Sequence, residues 1–539
     1  MMQCFEIKKT TPLKPQDKHW QFCVGSGHAA LALRADYRDL LTQVHRELGI
    51  RQVRFHGIFC DDMHTMHTLQ DGFPLPAGGD IVETSFRQCA AVYDNILASG
   101  MKPFVELSFM PTLLAKDSSK GGFFYRPNLN MPADEDRWVA YIQTFIHFLM
   151  DRYDREEVES WYFEVWNEPD LKVAFFNGSQ QDYFHLYEIT AKAIKDVNQN
   201  LKVGGPSTSG SKWVSAFVRF CKENDVPVDF VTTHQYAGDP LGGVHDSGGP
   251  EETEEPQMDM EEIKARMNPE HIRQAFAGLP KNAILPALRR FLGDPLETTE
   301  VPDNLFRMNA PVVKQQAQGL PVYYTEWNTC ATFAAYSNDT RKVAAYNAKT
   351  ALALDGVIDG SSIWCFSDIF EEMHPFPEEF HGGFGMLTQS GIKKPVYHAM
   401  QMLADSGELR YELPGALDRE ISCAAFRSHK ETQILLIRQK MKNLFELPKA
   451  PVRVCVETEI KPARVYVQRI DEDHCNPLNE WENMGSPQVP NFRQLQQLTE
   501  ATAMRNEEWD YTYENGVLIV QAELGVNDVY FIRICWEDT

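Results

Sequence analysis

Along this chain, short runs of β-branched and aromatic residues alternate with longer stretches whose apolar positions recur every three or four residues. Strands buried on both faces, each followed by a helix that covers them with one apolar stripe, produce this pattern, which is that of βα units around a parallel sheet. The runs predict strands at Gln21 to Val24, Gln52 to His56, Pro103 to Leu107, Tyr162 to Trp166, Lys202 to Gly205, Phe230 to His234, Val322 to Glu326 and Ser362 to Phe366. Between and after them the helical period predicts Asp36 to Leu48, Ser85 to Ser99, Asp134 to Tyr153, Gln181 to Asn198, Lys212 to Glu223, Ala310 to Gln318, Arg341 to Leu354 and Pro395 to Ala404. Eight such units close into an α/β fold, the (β/α)8 TIM barrel, whose chemistry sits at the C-terminal strand ends. Polar residues fall there: His56, Glu106, Asn167, Glu168, His234, Glu326 and Asp368.

The predicted barrel occupies residues 14–405, with an insertion at about 238–310 that carries the acidic run PEETEEPQMDMEEI. Placed after a sixth strand, the insertion lies at the active-site end. Its charge predicts a solvated face or loop, with a lid or an oligomer contact as the alternatives. From about residue 406 the texture changes to alternating runs at Val452 to Val456, Val465 to Val467, Val517 to Val520 and Tyr530 to Ile534, separated by turn residues. This predicts a C-terminal antiparallel β-sandwich over 406–539, to which Gln3 to Lys9 adds a strand, so residues 1–13 join the accessory domain.

Composition limits the partners. With 539 residues, 43% of them hydrophobic, the chain can bury a large core. No run approaches the roughly 18 consecutive apolar residues of a membrane helix, and the opening MMQCFEIKKTTPLKPQDKHW lacks the apolar core of a signal peptide, so a cytoplasmic protein is expected. Eleven cysteines without a CxxC pair read as buried thiols. A formal net charge of -24 disfavours nucleic acid and anionic membranes, whereas a neutral sugar is compatible. A homo-oligomer is left open.

Two strand ends carry the strongest chemistry, WYFEVWNEPDL ending at Glu168 and VYYTEWNT ending at Glu326. Strands four and seven face each other across a barrel mouth, so both carboxyls can flank a bound glycoside. Retaining hydrolysis needs carboxyls roughly 5–5.5 Å apart, one attacking the anomeric carbon and one protonating the leaving oxygen. The attacking group must be ionised, and its charge helps to keep the other protonated. GSGHAA at 25–30 lacks the third glycine of a dinucleotide loop and reads as a tight turn. His56, Cys60, Asp61, Asp62, His64 and His67 have metal-ligand types but no ordered ligand spacing, so neither a metal nor a cofactor is expected.

WNEPDL with a later TEW is the signature of a clan of (β/α)8 retaining glycosidases. GSGHAALALR, VRFHGIFCDDM, PFVELSFMP, DFVTTHQY and IWCFSDIFEE further resemble the β-xylosidases of glycoside hydrolase family 39. The resemblance implies removal of terminal β-D-xylose from short xylo-oligosaccharides or aryl glycosides. Glu168 would be the acid/base, Glu326 the nucleophile, and Asn167 the partner of the sugar 2-hydroxyl. It also implies that His56, His234 and Tyr236 contact sugar hydroxyls and the nucleophile, that Trp364 forms an apolar wall, and that Glu371 binds distal hydroxyls, with Glu372 competing for that role. Glu106 would support the site by hydrogen bonding. Family 39 also includes α-L-iduronidases. β-Glucosidase, β-galactosidase or arabinosidase activity, a non-catalytic sugar-binding barrel and a metal-dependent hydrolase are the remaining alternatives.

Overall fold

The computed structural model describes residues 2–68, 82–239, 304–332, 334–372, 376, 378–441 and 447–536. Eight parallel strands form a closed barrel: β1 (Cys23–His28), β2 (Gln52–His56), β3 (Lys102–Leu107), β4 (Tyr162–Val165), β5 (Lys202–Thr208), β6 (Phe230–Tyr236), β7 (Val322–Asn328) and β8 (Gly360–Ile363). Around it run α1 (Ala35–Leu48), α2 (Arg87–Ala98), α3 (Glu135–Tyr153), α4 (Gln180–Val197), α5 (Val214–Glu223), α6 (Leu305–Gln316), α7 (Arg341–Leu354) and α8 (Pro395–Ala404). Each expected strand and helix is present, most with shifted ends and three, Gln52–His56, Arg341–Leu354 and Pro395–Ala404, with the expected ones. The largest shift is at α6, which starts at Leu305 rather than Ala310; at β1, Gln21 belongs to a 3-10 turn and the strand continues through Gly25 and Gly27 to His28. Most of the acidic insertion lies outside the described residues. Among the described residues no helix is long and apolar enough to cross a membrane.

The barrel interior is layered. At the N-terminal end of the strands Phe22, Phe104, Tyr162, Phe230 and Tyr323 form an aromatic floor, with Phe22 stacked on Tyr323 at 4.5 Å and Phe104 on Tyr162 at 5.5 Å between ring centroids. Glycines make room for it: a Cβ at Gly204 would lie 2.4 Å from the Phe230 ring and carbonyl, and one at Gly360 2.6 Å from Phe22. Above the floor sit charged side chains, and above these the strand ends open into the pocket.

The accessory domain consists of two sheets. One joins Gln3–Ile7, Ala450–Glu457, Val517–Leu524 and Tyr511–Glu514; the other joins Glu507–Glu508, Arg464–Ile470, Val529–Cys535, Glu431–Ile437, Ser422–Arg427, Leu409–Tyr411 and Leu13–Pro15. The N-terminal strand pairs parallel to Ala450–Glu457, so the sandwich is not wholly antiparallel as expected. Alternation explains the sandwich core, in which Val452, Val454, Leu518 and Val520 meet Ile434, Leu436, Val465 and Ile532. The central strands of the second sheet are covered on both faces: Ala424, Phe426, Leu435, Ile437 and Phe531 on its other side belong to the barrel's core. Two helices, Pro477–Asn483 and Phe492–Ala501, interrupt the strands and were not foreseen. They reach the barrel through Trp481 against Phe380, 5.5 Å between ring centroids.

Because Phe104 is fully buried and lies at the opposite end of the barrel from the C-terminal strand ends, Phe104→Ala is expected to destabilise the protein by about 3–5 kcal/mol through lost burial and a residual cavity. Chemical denaturation measures this, and a loss below about 1 kcal/mol would show that the layer is not close-packed.

Candidate active site

At the end of β4 the chain leaves the barrel in a tight turn, with Trp166 and Glu168 at φ 73° and 39°. Left-handed backbone at non-glycine residues costs of order 1–3 kcal/mol each and persists only where surroundings enforce it. Here they do: Trp166 is buried and its indole N–H donates to the Phe175 carbonyl at 2.8 Å, while the Glu168 N–H donates to the Ser207 carbonyl at 2.9 Å. The turn aims Glu168 inward. On the facing side, β6 and β7 pair with a register shift that sets His234 opposite Glu326. A carboxylate oxygen of Glu168, a ring nitrogen of His234 and a carboxylate oxygen of Glu326 all lie within 4.8 Å of one another. That spacing matches a retaining pair; an inverting pair stands roughly 6.5–9.5 Å apart.

Beneath the two carboxyls lies Arg54, fully buried on β2. Its Nε donates to Glu164 at 2.5 Å, its Nη1 to Glu326 at 2.8 Å, and its Nη2 to Asn167 at 2.8 Å and Ser207 at 3.1 Å. Glu106 stands 2.8 Å from the same Nη2. Burial opposes the Arg54 charge, but Glu164, Glu106 and Glu326 outweigh it and hold the guanidinium protonated. The Glu326 carboxylate therefore has a fixed cation on Oε1, and on Oε2 it accepts from the Tyr236 hydroxyl at 2.7 Å.

Glu168 is in the opposite condition. Burial pushes its carboxyl up to about 8, with repulsion from Asp170 as the next cause, so it is protonated at neutral pH. The charge of Glu326, expected from sequence to help hold this proton, is not among the leading causes. His234 Nδ1 lies 2.9 Å from Glu168 Oε1, and burial lowers this imidazole to about 4. Burial likewise lowers His56 to about 3, so both rings are neutral. His56 Nδ1 sits 2.7 Å from Glu106 Oε2, itself raised by burial to about 7, and its Nε2 faces Glu326 at 3.5 Å and Glu372 at 3.4 Å. Among the described residues, the buried Asn167 Nδ2 and Glu372 Oε1 of this site make no hydrogen bond.

His56, Asn167, Glu168, His234, Tyr236, Glu326 and Trp364 are thus gathered at one pole of the barrel, all buried. Trp364 packs 4.8 Å from His56 between ring centroids, its carbonyl held by Asn328 Nδ2 at 2.6 Å. Of the two candidate glutamates after β8, Glu372 and not Glu371 reaches the site; Glu371 stays half-buried near Arg34. One residue of register in the loop decides this. Asp368, expected at the pocket, instead forms an ion pair with Lys394 Nζ at 2.6 Å in a buried triad with Asp339, which anchors the loop. In GSGHAA, Gly25 to His28 are strand rather than tight turn and Ala29 and Ala30 open a 3-10 helix; a Cβ at Gly25 would lie 2.5 Å from Trp364, and one at Gly27 2.7 Å from Phe370. Among the described residues, His28, Cys60 and Asp62 form a second cluster with metal-ligand types, in which Asp62 pairs with His28 Nε2 at 2.6 Å.

Sequence reasoning missed Arg54, Glu164, Ser207, Asp170 and Lys212. A signal existed for the first two: each is a lone charge inside an apolar strand, VRFH and YFEV, and opposite charges at barrel-facing positions must meet or remain uncompensated.

A family model described as glycosyl hydrolases family 39 matches residues 3–280 and 298–516. A β-xylosidase of Caldicellulosiruptor saccharolyticus is 34% identical over 506 residues, 93% of this chain and 92% of that protein. A β-xylosidase of Geobacillus stearothermophilus is 30% identical over 524 residues, 96% of this chain and 92% of its own length. Among solved structures, a monomeric β-xylosidase from Caulobacter crescentus CB15 superposes with a TM-score of 0.78 at 28% identity, covering 99% of both chains.

Glu372 generates a pH prediction. Burial, then repulsion from Glu326, raises its carboxyl well above its ordinary 4.5, so the folded state binds a proton that the unfolded state releases as pH rises through that value. The resulting stabilisation of the protonated form is present below about pH 4 and is progressively lost above it. Glu372→Gln removes this titration, so its gain in Tm over wild type should be larger at about pH 8 than at about pH 5. Thermal denaturation at both values checks this; a gain independent of pH would show that the carboxyl is not held protonated.

Proposed function

The chain belongs to glycosyl hydrolase family 39, and on that premise we propose that it is an exo-acting, retaining β-xylosidase with Glu326 as nucleophile and Glu168 as acid/base. The observation that carries the role assignment is the unequal treatment of two carboxyls within 4.8 Å: Arg54 stabilises charge on Glu326, whereas burial and Asp170 hold the proton on Glu168. In the first step Glu326 attacks the anomeric carbon as the glycosidic bond breaks, and the Glu168 proton passes to the leaving oxygen. Glu168 is then ionised beside a neutral glycosyl ester. It takes a proton from water as the water displaces Glu326 from the sugar, and both carboxyls regain their starting states.

Other groups fit a neutral sugar. The free Asn167 Nδ2–H suits the 2-hydroxyl, a contact that strengthens as oxocarbenium character develops. His56 and Glu372 offer acceptors to further hydroxyls, and Trp364 an apolar face. The Phe124 N–H donates to the Glu372 carbonyl at 2.9 Å, tying the loops after β3 and β8 together, which favours a pocket for a terminal sugar over an open cleft. An anionic sugar such as an iduronide would meet Glu372, and the Arg54 cation is already committed to four carboxyl and amide partners.

Leaving-group dependence separates the two roles. Glu168→Ala should slow cleavage of xylobiose by orders of magnitude and of a dinitrophenyl xyloside much less, with azide giving a product of retained configuration. Glu326→Ala should lose nearly all turnover on both, with azide giving the inverted product. The reverse pairing of azide products would exchange the assignments.

The glycone is checked by comparing kcat/KM for aryl β-xyloside, β-glucoside and α-L-iduronide. The xyloside should be preferred, and a preference of about tenfold or more for either competitor would overturn the substrate while leaving the mechanism in place.

A further inference from the structure

A second carboxyl stands next to Glu168 without a part in the bond chemistry. Asp170 lies two residues further along the same turn, its side chain only 2% exposed. It accepts hydrogen bonds from the Ser209 N–H at 2.9 Å and the Ser209 hydroxyl at 2.5 Å, and it faces Lys212 Nζ at 3.5 Å. Ser209 and Lys212 belong to the loop after β5, the same segment whose Ser207 carbonyl accepts the Glu168 N–H. The loops after β4 and β5 therefore clasp each other through one carboxylate and one ammonium, the carboxylate on the same turn that carries the acid/base.

We propose that Asp170 and Lys212 are positioning residues that set the alkaline limit of the reaction from opposite sides, the Asp170 carboxylate holding the proton on Glu168 and the Lys212 ammonium loosening it. The inference rests on the reading of Glu168 as acid/base. Its physical basis is that a charge buried near a titrating carboxyl is poorly screened, so a like charge disfavours ionisation and an opposite charge favours it. Asp170 is the leading charged influence raising Glu168, after burial, and Lys212 is among those lowering it. Burial also raises Asp170, but Lys212 and the two Ser209 donors oppose this and favour its charged form.

The remaining groups around Glu168 differ in kind. From β2 the Arg54 cation and from β3 Glu106 act on it, in opposite directions. On β6 the neutral His234 touches it, and Tyr236 lies close enough to interact. Asp239, just past β6, is raised by burial to about 7, and repulsion from Glu168 and Asp170 adds to this while Lys212 opposes it. Glu326 on β7 and Glu372 after β8 complete the ring. Most of these touch the substrate pocket or brace groups that do. Asp170 and Lys212 are fastened instead to the turn of the β5 loop, so their charges can be changed with less disturbance to sugar contacts.

The test is the pH profile of kcat/KM on a nitrophenyl β-xyloside for wild type, Asp170→Asn, Lys212→Met and Glu168→Ala, with thermal melts to confirm folding. The alkaline limb reports the free enzyme's acid, so it should move to lower pH in Asp170→Asn and to higher pH in Lys212→Met. The ratio of kcat/KM at about pH 8 to that at about pH 6 should fall several-fold in the first variant and rise in the second. Glu168→Ala should lose the limb. If it does, and the two neighbours shift the limb in the same direction, or lower the rate at all pH values without moving it, this inference fails and the acid/base reading stands. Should Asp170→Asn fail to fold, the surface-reaching Lys212→Met decides: a limb that stays in place or moves down overturns the inference. A wild-type limb retained in Glu168→Ala overturns both.

Discussion

The structure depends on one buried cation. Arg54 has no contact with solvent, and its guanidinium binds groups from β3, from β4 and the turn after it, from the end of β5, and from β7. Removing one partner of a buried ion pair costs about 3–5 kcal/mol, because the other is left charged and unpaired. Arg54 has three carboxylate partners, and its planar fork fixes their directions as well as their charge. The aromatic floor below it keeps water out, so these interactions act in a low-dielectric interior. The barrel is thus held in one register at the depth where chemistry begins.

Above that layer, two glutamates of the same chemical type are made different by their surroundings. Glu326 is given a cation and a tyrosine hydroxyl; Glu168 is given a neutral imidazole and an acidic neighbour. Placing one ionised and one protonated carboxyl in the same pocket requires this asymmetry, since two equivalent burial sites would leave the proton shared. The left-handed turn at Trp166 and Glu168 is the local cost of bringing the second carboxyl over the first.

The accessory domain extends the same logic outward. Its second sheet is covered on one face by the sandwich and on the other by the barrel, with Arg410 Nη1 donating to the Leu352 carbonyl at the end of α7. The helical excursion between its strands reaches the loops after β7 and β8, where Tyr336 meets Glu482 and Phe380 meets Trp481. Loops that form the pocket rim are therefore braced from behind by a domain that contributes none of the pocket residues described.

Much of this was legible in the chain. Period-two and period-3.6 patterns are local, so the eight strands, their helices and the sandwich strands could be read from them, and polar residues breaking an apolar run marked Asn167, Glu168, His234 and Glu326 as strand-end groups. What tertiary structure alone decided was everything set by distance between segments far apart in sequence. The choice of Glu372 over Glu371 depends on loop register, and the diversion of Asp368 depends on Lys394 returning at the far end of the same connection and on Asp339 from the loop after β7. The role of Arg54 depends on carboxylates 52 to 272 positions away. The N-terminal strand's parallel pairing, and the use of Gly25 and Gly27 as space for aromatic rings, likewise follow from packing partners that no local pattern names. Periodicity reports which face of an element is buried; it carries no information on what lies against that face, and it is there that charges, protons and registers are settled.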